Sequence, residues 1–343
     1  MAELANQAIF DFYTYPPVGD DDWRYIFQTA QVRVYEMAML SRSTLLDMAN
    51  ADSLERAADL LSGTEYALQA GRDFSLVEQA LQARRTAVRA MFAELMLDKP
   101  VVELFRAQDD FANLRLAVRR MLTGKPLGKD YSQDGNLAPE AFEEAFAQDS
   151  EMVLPAYIQQ AVDRSVLGYY QDKDIRRVDY AIDAVQAEHN LKRAKQLGSI
   201  FLTGLFRIQI DLTNIRTMLR LKFTGAEKRS VFLEGGYVDL ERYSHGLDLG
   251  YEALGPLFFV TPYHRVVEVG AAYVASNKSF LKLEQQCDEH LTGFLKTTAQ
   301  ITTGPQPIIA YLLMKENEIR NVRLILTAKR NSLDTKLILD RIG

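Results

Sequence analysis

The sequence has one cysteine, Cys287, one tryptophan, Trp23, and four histidines in 343 residues. A lone cysteine closes no disulfide within the chain and rules out a cysteine-rich metal site. It suits a reducing compartment. None of His189, His245, His264 and His290 forms an HExxH pair, so a helical zinc site has no support. No GxxxxGK(S/T) or strand-linked GxGxxG loop is written to cradle a phosphate, and no GxSxG presents a serine nucleophile. No run of about 18 apolar residues exists, so nothing is expected to span a bilayer. The first residues, MAELANQAIFDFYTYPP, lack a basic-then-apolar signal pattern. The net charge of −6 is too mild to mark a nucleic-acid or anionic-membrane footprint. Strand signals are scarce too. The nearest is Leu257–Val260, LFFV, too short and isolated to build a sheet.

What is present is a repeat. Leu104–Gly124, LFRAQDDFANLRLAVRRMLTG, returns without a gap 101 residues later as Leu205–Gly225, LFRIQIDLTNIRTMLRLKFTG, with ten of 21 positions identical. A looser third copy is Lys315–Leu326, KENEIRNVRLIL. The shared core is D/E-x-x-N-L/I/V-R: Asp110, Asn113 and Arg115, then Asp211, Asn214 and Arg216, then Glu318, Asn321 and Arg323. The apolar stripes Phe111-Leu114-Val118-Leu122, Leu212-Ile215-Leu219-Phe223 and Ile319-Val322-Leu326 have helical spacing. Gly124 and Gly225 stand where a glycine ends a helix with positive φ. Twenty-two residues after Asn113 and Asn214 come Gly135 and Gly236, each followed at +7 by an aromatic, Phe142 or Tyr243. The same count from Asn321 lands on Gly343.

The fold class expected is all-α, in three helical repeats: 20–145, 146–250 and 251–343, after an extended aromatic arm over 1–19. The pattern predicts one long helix from Trp23 to about Met48, then helices over Ser53–Leu61 and Ser75–Leu97. The last repeated helix is expected over Ile308–Arg330, after the Pro/Gly break at 302–307.

Three sets of residues are candidate sites. Glu188-His189 and Glu289-His290 recur at 101 residues, and read as one position in two related helices rather than metal ligands. Asp109-Asp110 resembles a paired-aspartate magnesium clamp, but the second copy has Ile210 and the third Asn317-Glu318, so one acid survives per repeat. The repeated Asp, Asn and Arg read as a buried hydrogen-bond network where repeats meet, since asparagine is a poor helix former and needs a reason to recur. The alternative is a ring of ligand contacts. No catalytic, cofactor-binding or metal residue is assigned.

Three stretches carry a resemblance: Ala30–Glu36 with Leu45-Leu46; the repeated helix with Phe232–Gly236 after its second copy; and Gly304–Tyr311 followed by Lys315–Arg323. They make residues 20–343 similar to the C subunits of V-type and A-type rotary ATPases, the family of the eukaryotic V-ATPase d subunit. The resemblance implies three helical domains about a pseudo-threefold axis, forming a funnel. It implies a non-catalytic central-stalk protein without cofactors. Its partners would be the D and F proteins of the shaft and the proteolipid rotor ring, with neither nucleic acid nor nucleotide bound directly. It implies a cytoplasmic place, at the membrane only through the ring, where the protein passes torque for H+ or Na+ transport. A helical-repeat scaffold for other proteins is the reading the repeat alone would also allow.

Overall fold

A computed structural model describes residues 15–66, 74–124, 131–146, 153–226 and 229–343. Those residues form 15 α-helices joined by turns, with no strand among them. The fold is all-α. The described residues fall into two compact units: Asp98–Ser244 is continuous, while the other joins those from Tyr15 to Leu97 with His245–Gly343. Most of the expected aromatic arm lies outside the described residues.

The discontinuous unit begins with α1 (Ile26–Glu36), α2 (Arg42–Asn50), α3 (Leu54–Asp59) and α4 (Phe74–Leu95). The continuous unit holds α5 (Lys99–Thr123), α6 (Pro139–Ala145), α7 (Ala156–Asp172), α8 (Arg176–Gln196) and α9 (Ile200–Thr224). α10 (Leu240–Asp248) leads out of it. Then α11 (Tyr251–Leu257), α12 (His264–Asn277), α13 (Leu281–Lys296), α14 (Pro305–Arg330) and α15 (Thr335–Ile342) complete the discontinuous unit.

In the continuous unit the stripe of α5 is the core. Phe111, Leu114 and Val118 meet Ile158 and Ala161 of α7 and Val178, Ile182 and Val185 of α8. Each large apolar side chain so buried contributes about 1.5–3 kcal/mol. α5 and α9 end as their glycines require: Gly124 at φ 68° and Gly225 at φ 65° are left-handed. Phe223 departs from the expected stripe. It is 43% exposed, because the last turn before the glycine runs past its packing partners.

The discontinuous unit is built around α14. Ile319, Val322, Ile325 and Leu326 pack with Met48, Leu61, Val77 and Leu81 from the first ninety residues, and with Ile338 of α15. The third copy of the repeat therefore finds its core partners at the opposite end of the chain.

Two expectations need correction. The single helix over 23–48 is broken: a 3₁₀ turn at Trp23–Tyr25, then α1, then a non-helical stretch to Ser41 before α2. The break has a cause. The Leu40 N–H is drawn to the Glu318 carboxylate at 2.6 Å, and Ser41 Oγ caps α2 by accepting from the Thr44 N–H at 3.0 Å. α14 starts at Pro305 rather than Ile308, since both prolines fit a first turn whose N–H groups need no partner.

Candidate functional site

Asp110 is fully buried in α5. Its carboxylate accepts from the Leu137 N–H at 3.0 Å, the Asn136 side-chain amide at 3.0 Å and the Tyr157 hydroxyl at 2.8 Å. Asp211 is fully buried in α9 and accepts from the N–H groups of Tyr237 at 2.8 Å and Val238 at 3.2 Å, and from the Tyr243 hydroxyl at 2.9 Å. One turn on, Asn113 holds both backbone groups of Ser132: its Oδ1 accepts from the N–H at 2.8 Å, and its Nδ2 donates to the C=O at 2.9 Å. Asn214 holds Leu233 in the same way, both bonds at 2.8 Å. Each acid and asparagine thus binds the non-helical return segment that follows its own helix.

The return segment must pass very close to the helix. A Cβ at Gly135 would run into the Asp110 carboxylate, and one at Gly236 into that of Asp211. This close approach is why a glycine recurs 22 residues after each asparagine. Burial pushes the Asp110 carboxyl above its usual range, opposed by the bonds from Leu137, Tyr157 and Asn136. Burial and the neighbouring aspartate push the Tyr157 and Tyr243 hydroxyls up as well, so both stay neutral donors. The repeat register pairs Tyr243 with Phe142, which has no hydroxyl. Tyr157, from α7, supplies the missing donor, and no periodicity pointed to it.

In α14 the same position is filled from elsewhere. Glu318 accepts from the Leu40 N–H, from the Tyr66 hydroxyl at 2.7 Å and from Lys315 Nζ at 2.6 Å. Lys315 is fully buried, pairs also with Glu65 at 2.8 Å, and lies 4.9 Å from the centre of the Tyr66 ring. Leu137, Val238 and Leu40 each stand two residues before a helix start, at α6, α10 and α2. Five residues further back stand Ser132, Leu233 and, in the third case, Tyr35. Tyr35 belongs to the last turn of α1, and its C=O already accepts from the Ala38 N–H at 3.0 Å. Asn321 therefore has no free backbone to hold. Its amide oxygen is a buried acceptor without a donor.

Two of the three arginines act between helices. Arg115 pairs with Asp183 at 2.5 Å and with Asp179 at 3.8 Å on α8; Arg323 pairs with Glu78 on α4 at 3.0 Å. Arg216 is half-buried. The two Glu-His pairs share one environment. Glu188 and Glu289 are exposed, while His189 packs on Tyr157 at 4.5 Å and His290 on Tyr263 at 4.9 Å. Burial lowers both imidazoles to about 4. Among the described residues no group of three or more His, Cys, Asp or Glu side chains could hold a metal. No helix among them is long and apolar enough to cross a membrane. α1 and the turn before it expose an apolar face: Trp23, Phe27, Val34 and Met37 are each more than 60% accessible.

This all-helical chain with three registered acid-Asn helices matches the family model described as "ATP synthase (C/AC39) subunit" over residues 28–341. The chain belongs to that family. The C/AC39 match runs from α1 to α15 and so includes all three repeated helices. Among its relatives, the C subunit of the V-type sodium ATPase of Enterococcus hirae is 24% identical, covering 91% of this chain and 95% of the relative. The C subunit of the V-type ATP synthase of Thermus thermophilus is 28% identical, covering 90% and 94%. The C subunit of the A-type ATP synthase of Thermococcus onnurineus is 22% identical, covering 94% and 91%. Near end-to-end coverage makes the C/AC39 chain a counterpart of these proteins over its whole architecture, as one component of a V/A-type ATPase rather than an enzyme standing alone.

Proposed function

We propose that this chain is the non-catalytic rotor component that couples the D/F central shaft of a V/A-type ATPase to its proteolipid ring. In that role it transmits torque for H+ or Na+ transport. It would sit on the cytoplasmic side and meet the membrane only through the ring. The three repeats, 20–145, 146–250 and 251–343, would form a funnel about a pseudo-threefold axis.

The observation that carries this reading is the family match across nearly the whole chain, joined to the way each repeated helix is tied down. A torque coupler must resist shear. Buried carboxylates each fixed by three donors, and close-packed helices, give stiffness. The protein needs no bound nucleotide in this role, and no phosphate-binding motif is written in the sequence.

The test is reconstitution of the complex with and without this chain. The complete complex should bring down shaft and ring proteins with it and pump ions. The complex lacking it should retain ATP hydrolysis in the soluble head and lose pumping. Undiminished pumping without the chain would overturn the coupling role. Co-purification with proteins unrelated to an ATPase would favour a scaffold instead.

A further inference from the structure

α1 and the 3₁₀ turn before it are apolar on two opposite faces. One face is the anchor: Tyr25, Thr29 and Val32 are buried. The Thr29 hydroxyl exchanges hydrogen bonds with the Gly304 backbone at 3.0 and 3.2 Å, and Arg33 donates to the C=O groups of Thr298 and Ile301. The other face is Trp23, Ile26, Phe27, Ala30, Val34 and Met37, all exposed, with spacings of 3, 1, 3, 4 and 3. That is one helical stripe, roughly 20 Å long at 1.5 Å per residue, with no charged side chain in it. The anchored face holds it outward. A helix apolar on both sides is one that ends up buried on both sides.

Area and charge say what covers it. At about 150–250 Å² for an aromatic side chain, exposures of 59–85% on the five large residues leave ~600 Å² open, the top of the range for a monomer's largest patch. A stable complex standing alone takes ~800 Å² a side. A second copy docked stripe to stripe falls short of that, whereas a partner held in the same assembly by further contacts needs no more. Helices that lie on anionic lipid flank the apolar face with basic residues. Here the flanking Arg24 and Arg33 are already paired with Asp22 and Glu36, at 2.7 and 2.9 Å. At the head of the stripe Asp20 and Asp21 are exposed, and among the described residues neither has a cation partner. Asp21 accepts only from the N–H groups of Thr302 and Thr303. The stripe therefore asks for a partner that is apolar along its length and basic at one end.

We infer that the exposed stripe of α1 docks an amphipathic helix of another protein of the ATPase complex, which sets lysine or arginine against Asp20 and Asp21. A helix is the partner whose side-chain rows interlock with a straight row of this spacing over its whole length; a loop would cover one turn of it. The inference rests on the proposed rotor role only in naming where the helix comes from.

The experiment uses the assembled, purified complex with photoreactive benzoylphenylalanine replacing Phe27. Illumination should link α1 to a helical segment of another protein of the complex, with lysine or arginine in that segment. Val34→Glu should lower the crosslink yield roughly tenfold, and Val34→Leu should keep it. Asp20→Lys should lower it by a smaller factor. Since Val34 and Asp20 are exposed, all three variants should leave the free chain's denaturation midpoint at the wild-type value. Crosslinks confined to lipid, to this chain or to a second copy of it would overturn the inference and leave the rotor role standing. So would a linked segment without a basic residue, or a yield indifferent to Val34→Glu or to Asp20→Lys. If the chain enters a different assembly, the rotor role fails, and the same crosslink read in that assembly decides the stripe. A chain that enters no assembly overturns both.

Discussion

The continuous and discontinuous units solve one problem with different parts of the chain. In the continuous unit, α5 and α9 each bind the segment that follows them, so the buried aspartates are satisfied by residues 26 and 27 positions on, Asn136 and Leu137 in one case and Tyr237 and Val238 in the other. In the discontinuous unit, α14 is satisfied by Leu40 and Tyr66, more than 250 positions back. The acid changes from aspartate to glutamate, and a fully buried Lys315 is added. Short-range capture needs only one acid and a close glycine. Long-range capture places a second carboxylate, Glu65, beside the first, and two cations accompany them: Lys315 bridges both and Arg84 pairs with Glu65.

The sharpest way to break this comparison is Lys315→Met. It leaves the buried Glu318 without its cation, while Glu65 keeps Arg84, so a loss of about 3–5 kcal/mol is expected, read by chemical denaturation. A loss below about 1 kcal/mol would show that Lys315 is dispensable to the long-range solution.

Acid should destabilise the fold next most strongly. The folded-state values of His290 and His189 are depressed, from 6.5 to about 4. Their contribution is therefore complete above pH 6.5 and lost as pH falls toward 4, by an order of 3 kcal/mol at His290 and less at the more accessible His189. Asp110 has the opposite sign, because its raised carboxyl is better tolerated protonated. His290→Phe should flatten most of the slope of denaturation midpoint against pH. An unaltered slope would assign the acid sensitivity elsewhere.

Gly236→Ala tests the close approach. Its Cβ meets Asp211, so about 2–3 kcal/mol should be lost. Gly63→Ala, at positive φ but with open space around it, should cost about 1 kcal/mol. If the two cost the same, backbone conformation and not the carboxylate selects glycine at 236.

The smallest effect is a contrast within one residue type. Asn214→Ala leaves the Leu233 backbone unpaired and should cost about 1–3 kcal/mol. Asn321→Ala loses no internal bond and removes a buried acceptor that has no donor, so it should cost less than about 0.5 kcal/mol or stabilise the fold. Equal costs would mean that Asn321 has a structural partner after all.

The sequence alone determined the helical class, the three repeated helices and their buried stripes apart from the exposed Phe223, the two glycine ends, and the acid-Asn-Arg register. All of these follow from local rules: period 3.6, the left-handed freedom of glycine, and identity at a fixed offset. It also located Gly135 and Gly236, though not why they recur. Tertiary structure decided everything that depends on which distant segment arrives. The break between α1 and α2 exists because Glu318 takes the Leu40 N–H. The donor to Asp110 is Tyr157 because the equivalent Phe142 has none to give. Asn321 is left open because the residue that would pair with it, Tyr35, is already hydrogen-bonded inside a helix. Local patterning fixes what each helix offers, and only the packed chain fixes which of those offers are taken up.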